Sequence, residues 1–147
     1  MVEHFRHDGY RVQPGGVHPH PGPGGNDFVD ARGGNDRILT NRGDDTVLAG
    51  DGNDLVLSGA GDDSVDCGAG RDYVLTGSGN DWVDGGDGND IIRAGSGDDT
   101  VDGGAGRDYV FAGQGNDTLT FTLENGSTSP MAGPTITMAA TVRTCWW

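Results

Sequence analysis

An aspartate recurs at every ninth residue of this chain, without interruption, from residue 27 to residue 117. A glycine stands two positions before each aspartate, and a Val, Ile or Leu stands two positions after it. A fixed short period predicts a solenoid of stacked turns, because each unit is too small to bury a core alone. The eleven aspartates are Asp27, Asp36, Asp45, Asp54, Asp63, Asp72, Asp81, Asp90, Asp99, Asp108 and Asp117.

The repeats can be written as eleven nonapeptides over residues 22–120, with the aspartate at position 6 and the aliphatic residue at position 8. Glycine at positions 2 and 4 favours a turn, because glycine reaches positive φ without a steric clash. An aliphatic, mostly β-branched residue at position 8 favours a short strand with that side chain inward. Each unit therefore predicts a six-residue turn followed by a three-residue strand. The first three units depart from this pattern at position 2, where they carry Pro23, Arg32 and Asn41.

A longer repeat is superimposed on the nonapeptides. Residues 49–84 and 85–120 match at 22 of 36 positions, which indicates duplication of a block of four units. If two units make one turn, the block is two whole turns, and duplication keeps each residue on its original side. The chain then divides into a disordered N-terminal tail at 1–21, the repeat array at 22–120 and a capping segment at 121–147. Within the capping segment, residues 135–142 favour one further strand.

Composition limits what else the chain can be. Only 33% of the residues are hydrophobic and 29 are glycine, which is too little apolar mass for an ordinary globular core. The net charge of −14 lies entirely in residues 22–120, where twenty Asp oppose six Arg, so folding requires neutralisation by cations. The chain has no lysine and no basic stripe, which argues against nucleic acid as a partner. No apolar stretch is long enough to span a membrane.

These units resemble the RTX, or hemolysin-type, calcium-binding nonapeptide G-G-x-G-x-D-x-U-x. The best copies are GDGNDII at residues 86–92 and GAGRDYV at residues 104–110. The resemblance covers the 99 residues of the array. It implies an all-β fold, namely a right-handed parallel β-roll (a β-solenoid) with two nonapeptides per turn.

The resemblance also implies Ca²⁺ between each loop and the next loop on the same edge, two units later. The position-6 aspartates would supply carboxylate oxygens and the loop glycines backbone carbonyls, which are the hard ligands that Ca²⁺ prefers. Pairing each unit with the next but one gives nine candidate sites, or six when position 2 must be glycine, so we expect six or more ions. The glycines concerned are Gly50, Gly52, Gly59, Gly61, Gly68, Gly70, Gly77, Gly79, Gly86, Gly88, Gly95, Gly97, Gly104, Gly106, Gly113 and Gly115.

Folding of such an array is expected to depend on the ion. A strand with one buried aliphatic residue does not offset the ordering of nine residues at roughly 1–2 kcal/mol each. Stacked carboxylates also repel one another until a cation separates them. At ten times the Kd, each site adds roughly 1.4 kcal/mol, so six sites contribute on the order of 8 kcal/mol. The sequence therefore predicts an unfolded calcium-free chain and a folded calcium-bound one.

The outward positions 7 and 9 differ between alternate units. In odd-numbered units they are mostly polar, whereas in even-numbered units they are mostly Leu, Ile, Tyr and Phe. A contiguous apolar patch usually has something covering it. Residues 121–147 folding back is one candidate for this cover, and a protein partner or a second copy of the chain is the other.

No catalytic group is evident in the array. All four histidines (His4, His7, His18 and His20) lie in the N-terminal tail, and Cys67 and Cys145 indicate no disulfide framework. The array lacks the glutamate of an EF-hand, and the N-terminus lacks the apolar core of a signal peptide. We expect a secreted, extracellular, non-catalytic calcium-binding protein, and the resemblance implies type I export. Two alternatives are a C-terminal module of a larger secreted toxin, protease or lipase, and a surface adhesion protein.

Overall fold

The computed structural model describes residues 24–122 together with the short segments 10–11, 17–18 and 136–141. All regular elements among these residues are β-strands, wound into about five turns of a parallel β-roll. Equivalent residues of successive turns are eighteen apart, so that Val47 pairs with Val29 on one side and Val65 on the other. The predicted arrangement of two nonapeptides per turn is therefore confirmed. The described residues form no helix that could cross a membrane.

The strands form three parallel sheets. The odd sheet, from the odd-numbered units and both ends of the chain, runs in the order β1 (Tyr10–Arg11), β3 (Phe28–Asp30), β5 (Thr46–Leu48), β8 (Ser64–Asp66), β11 (Trp82–Asp84), β14 (Thr100–Asp102), β17 (Asp117–Thr122) and β18 (Ile136–Thr141). The even sheet runs in the order β16 (Tyr109–Gln114), β13 (Ile91–Ser96), β10 (Tyr73–Ser78), β7 (Leu55–Ala60), β4 (Arg37–Arg42) and β2 (Val17–His18). The loop sheet contains β15 (Ala105–Gly106), β12 (Asp87–Gly88), β9 (Ala69–Gly70) and β6 (Asp51–Gly52).

Strand length differs between the two main sheets. The odd strands β3 to β14 have the predicted three residues, but β4 to β16 in the even sheet have six. The prediction was wrong for the even sheet because its ladder continues through the first three residues of the next unit, where Gly77 still pairs in register with Gly95. Without a Cβ at these glycines, neighbouring backbones stay close enough to keep their hydrogen bonds around the bend.

The interior of the roll is narrow and holds three inward positions of each unit. The position-8 aliphatic residues are at most 2% exposed, as predicted, and they form the centre of the core. Position 1 is also buried, and it carries only Ala, Thr, Ser, Cys or Gly. Cys67 is one of these core residues and is a free thiol. Small side chains suit position 1 because the chain turns there between a strand and a loop. The third inward position is the motif aspartate.

Additional strands pair with both ends of the repeat array. β18 lies parallel to β17, which confirms a strand close to the predicted residues 135–142. β18 extends the odd sheet and does not lie on the even face, which residues 121–147 were one candidate to cover. The rest of that segment, at 123–135 and 142–147, is outside the described residues. At the other end, β1 pairs with β3 and β2 with β4. Unpaired edge groups of the first coil accept these two short strands, and the disorder of the N-terminal tail stays a prediction. The remaining tail residues are outside the described part.

Candidate metal centre

The fold brings the motif aspartates into two columns. We call the loops that lead into the odd strands the odd edge, and those that lead into the even strands the even edge. All eleven aspartates are buried, with at most 6% exposure. Asp27, Asp45, Asp63, Asp81, Asp99 and Asp117 lie on the odd edge, and Asp36, Asp54, Asp72, Asp90 and Asp108 lie on the even edge.

From Asp45 onward, one oxygen of each motif carboxylate holds the preceding coil. Its Oδ1 accepts a hydrogen bond from the backbone N–H of the motif aspartate eighteen residues earlier. Nine such bonds, of 2.7 to 3.1 Å, run along the two columns. They join the same nine loop pairs that the sequence predicts as candidate sites.

The second carboxylate oxygen is the part of the site that is available to a cation. Among the described residues, Oδ2 is buried and accepts no hydrogen bond in Asp45, Asp72, Asp90, Asp99 and Asp117. A buried anionic oxygen without a donor or a counter-ion costs several kcal/mol, on the order of the figures for unpaired buried charges. A bound cation removes this cost.

Backbone carbonyls supply further oxygens to the loops. A Cβ placed on Gly50 would collide with the carbonyl oxygen of Arg32, and one on Gly70 would collide with that of Gly52. The carbonyls at positions 2 and 4 therefore point along the roll at the equivalent residue of the next coil. Both glycines also have positive φ, of 100° and 149° respectively, which strains any other residue. The two glycines per loop are thus required for oxygen-lined contacts between coils.

Burial makes the motif carboxyl groups harder to ionise in the absence of a metal. Desolvation raises the pKa of Asp63, Asp72 and Asp99 from 3.8 to about 6, although backbone hydrogen bonds partly offset it. The pKa of Asp90 rises further, to about 7, through desolvation and the nearby charges of Asp72 and Asp108. Protons and cations therefore compete for these groups near neutral pH.

The donor set fits calcium and not a soft metal. No three His, Cys, Asp or Glu side chains converge anywhere in the described part of the chain, so a cation in these loops would also need backbone carbonyl oxygens as ligands. Carboxylate and carbonyl oxygens are the ligands of hard cations such as Ca²⁺, which takes six to eight of them. Burial, followed by the charges of nearby aspartates, raises the pKa of the Cys67 thiol well above its usual range. Cys67 thus stays protonated and provides no thiolate.

A second polar ladder, at position 5, did not emerge from the sequence. Asn or Asp side chains there accept the backbone N–H of the next coil at 2.7 to 3.1 Å, as Asp44 does from Asp62 and Asn53 does from Arg71. The preference for Asn and Asp at position 5 was the sequence feature from which this ladder could have been predicted. Arg71 and Arg107 have no acceptor to offer; Arg71 interrupts the ladder on the even edge, and Arg107 ends it. Both are exposed, as expected for charge-balancing residues.

Buried hydroxyls at position 1 form a third ladder that sequence reasoning missed. Thr40, Ser58 and Thr76 each donate to the backbone carbonyl of the equivalent residue one coil later, at 2.9 to 3.3 Å. The hydroxyls of Ser58 and Thr76 also lower the pKa of Asp63 and Asp81, against the larger effect of desolvation. All three belong to odd units, so their recurrence every eighteen residues was the only signal.

The atypical first units keep the backbone shape of the others. Arg32 and Asn41 occupy position 2 with φ of 71° and 78°, the left-handed region that glycine occupies in later units. Their carbonyls are consequently presented in the same way. The expected weaker calcium binding of the first three units remains a prediction. His4, His7, His20 and Cys145 lie outside the described residues.

Comparison with known families agrees with this geometry. The model of the RTX calcium-binding nonapeptide repeat matches in four copies, at residues 22–56, 30–65, 48–83 and 84–119. Together the copies cover two-thirds of the chain. No curated protein matches it.

Proposed function

Because the chain belongs to the family of RTX calcium-binding nonapeptide repeat proteins, we propose that calcium at the two aspartate columns drives folding of the roll. The buried, unpartnered Oδ2 atoms of Asp45, Asp72, Asp90, Asp99 and Asp117 carry this proposal. Without an ion, the folded state must protonate these groups or leave the charges uncompensated. With an ion between each pair of loops, the same groups hold neighbouring coils together. Six or more ions per chain are expected, because nine loop pairs follow one another along the two edges and six of them have glycine at position 2 in both loops.

A calcium titration tests the proposal. Far-UV circular dichroism should change from a disordered to a β-rich spectrum as calcium is added, and calorimetry should give six or more ions per chain. Magnesium at equal concentration is the control, because it demands a tighter octahedral shell than these loops provide. A β-rich spectrum that persists in excess chelator would contradict calcium-driven folding.

We further propose that the folded roll acts outside the cell and has no catalytic activity of its own. Extracellular calcium is abundant, so a chain that folds only with calcium would stay unfolded inside the cell and fold after export. The Ser58 and Thr76 hydroxyls that contact motif carboxylates are fully buried, so a substrate does not reach them. In-cell spectroscopy tests the export proposal. A chain that folds with calcium in the cytoplasm of the producing cells would contradict it.

A second candidate function is a contact module within a larger assembly or a larger secreted protein. The observation that favours it is the even outer face, defined as positions 7 and 9 of the even units. Leu39, Leu57 and Leu75 form one continuous apolar column on it, and Leu55, Tyr73 and Ile91 form the other. The face would bind a protein partner or a second copy. An adjacent hydrolase frame in the source DNA would favour the larger secreted protein.

A further inference from the structure

The two outer faces of the roll carry opposite charge. Apart from the motif aspartates, seven Asp and one Arg in the odd units give −6, whereas two Asp and five Arg in the even units give +3. The sixth arginine, Arg42, belongs to an odd unit but lies in strand β4 of the even sheet. When calcium neutralises the motif aspartates, the folded molecule is therefore negative on its odd side and positive on its even side.

The outward positions 7 and 9 show the same difference in charge as the whole units. The odd outer face, positions 7 and 9 of the odd units, bears four aspartates and no arginine: Asp30, Asp66, Asp84 and Asp102. Asp66, Asp84 and Asp102 stand in register on three successive strands. The even outer face carries Arg37 and Arg93 and no acid. Arg93 lies over the ring of Phe111, 5.2 Å from its centroid.

Both faces also expose large apolar side chains. On the odd outer face Phe28 is 43% exposed, Leu48 37% and Trp82 44%, and on the even outer face Tyr109 is 58% exposed. Trp82 pairs in register with Ser64 and Thr100, so its indole projects between two small neighbours. The even outer face carries a row of partly exposed Leu, Ile and Tyr side chains, against which a projecting indole such as that of Trp82 can pack.

We propose that the even outer face of one molecule binds the odd outer face of a second copy of this chain. The proposal rests on the contact function of the even face proposed above and names its partner. Strands in both sheets run parallel with the same spacing of about 4.8 Å, so aligned stacking places row against row. Arginines then face aspartates, and Trp82 enters the apolar columns. Aromatic residues and Arg are the types enriched in protein interfaces.

Pairing of two even faces is the less favourable geometry. It would bring Arg37 and Arg93 of one copy against those of the other without any acidic group between them. It would also leave Phe28, Leu48 and Trp82 exposed to water. Even-on-odd stacking covers both faces, and because it is heterologous it continues from copy to copy. The folded protein should therefore form open-ended assemblies whose size grows with concentration.

Complementary variants test this arrangement in the full chain with saturating calcium. Leu57→Asp blocks the even outer face, and Trp82→Arg blocks the odd outer face. Each variant alone retains one functional face and should be monomeric by light scattering. An equimolar mixture should form a 1:1 dimer, with twice the mass of either variant, and grow no further. Gln114→Glu, which adds an acid at an exposed edge position, is the control and should associate like the unmodified protein.

Other outcomes would overturn the proposal. A monomeric unmodified protein, or a mixture that stays monomeric, excludes even-on-odd stacking. Self-association of Trp82→Arg alone would assign the contact to two even faces. Association should also weaken at about 0.5 M salt, where the Debye length falls below about 5 Å. Circular dichroism and calcium stoichiometry of each variant distinguish failure of folding from failure of the contact.

Discussion

From Asp45 onward, each motif aspartate accepts a backbone N–H of the preceding coil with Oδ1, and its Oδ2 is the proposed calcium ligand. In Asp90, Oδ1 accepts the N–H of Asp72 at 2.8 Å, while Oδ2 is buried without a partner. Asparagine has the same shape and keeps one acceptor oxygen, but it loses the negative charge. Replacing a motif aspartate by asparagine therefore separates the hydrogen-bonding role of the side chain from its proposed role as a calcium ligand.

Asp90→Asn should lower the number of bound calcium ions by one or two, because its loop lies between two neighbouring loops on the even edge. Asp87→Asn is a matched control, because Asp87 lies three residues earlier in the same loop and is exposed. Calorimetry should show reduced stoichiometry for Asp90→Asn alone. An equal loss of bound calcium in both variants would mean that the negative charge of the loop, and not ligation by Asp90, governs calcium binding.

The left-handed backbone conformation of Arg32 costs more free energy than the ion pair of its side chain contributes. Its φ of 71° lies in the left-handed region, which costs about 1–2 kcal/mol for a residue with a Cβ. Its ion pair with Asp30, at 3.7 Å on the surface, contributes about 0–1 kcal/mol. Arg32→Gly should thus raise the free energy of unfolding in calcium by about 1 kcal/mol. Arg32→Ala removes the ion pair but keeps the Cβ, so in urea unfolding it should give no gain; an equal gain would refute the backbone explanation.

The two edges of the roll are elements of unequal charge. At position 5 the odd edge carries Asp44, Asp62 and Asp98, whereas the even edge carries Arg71 and Arg107. Arg71 lies close enough to Asp90 to lower the pKa of that carboxyl. The same positive charge opposes a cation in the loop. Calcium should therefore bind first and more tightly along the odd edge.

Arg71→Asn should tighten calcium binding on the even edge, because it removes the repulsion and restores an acceptor for the next coil. Arg93→Asn is the control, since it removes a charge of the same sign from the outer face. A titration should show the weaker class of sites shifting to lower calcium for Arg71→Asn alone. A shift of the same size in both variants would assign the effect to net charge.

The nine-residue period was sufficient to predict a coil of stacked turns. The pairing register of eighteen and the two aspartate columns came from the resemblance to the RTX nonapeptide, which implies two units per turn. The period was not sufficient for the six-residue even strands, because identical glycines bend differently after an odd and an even strand. The ladder through Thr40, Ser58 and Thr76 was also missed, since small polar residues at position 1 have no distinguishing pattern beyond their eighteen-residue spacing.

The whole molecule is sensitive to protons as well as to calcium. In the folded chain the pKa of Asp63, Asp72 and Asp99 is about 6 and that of Asp90 about 7, whereas the ordinary value is 3.8. Raised pKa values make protonation favour folding, so this stabilisation is complete below about pH 4 and is lost as the pH rises through 6 to 7. At neutral pH and above, the calcium-free roll thus lacks this stabilisation.

Calcium-free protein should therefore gain β-structure as the pH is lowered from about 8 to about 5, and calcium affinity should fall over the same interval because protons compete for the ligands. Circular dichroism after removal of calcium, paired with calorimetry at each pH, measures both effects. Greater β-structure at pH 8 than at pH 5 without calcium would reverse the expected sign.

Hydrogen–deuterium exchange across residues 24–120, with and without calcium at neutral pH, tests calcium-driven folding most directly. It reports the backbone hydrogen bonds of every coil separately. In calcium, the amides that donate to the motif aspartates and to the position-5 side chains of neighbouring coils should be protected, with the least protection in the first three units. In excess chelator, protection should be absent throughout the array. Protection of the inner coils that is equal with and without calcium would contradict the proposal that the ion folds the roll.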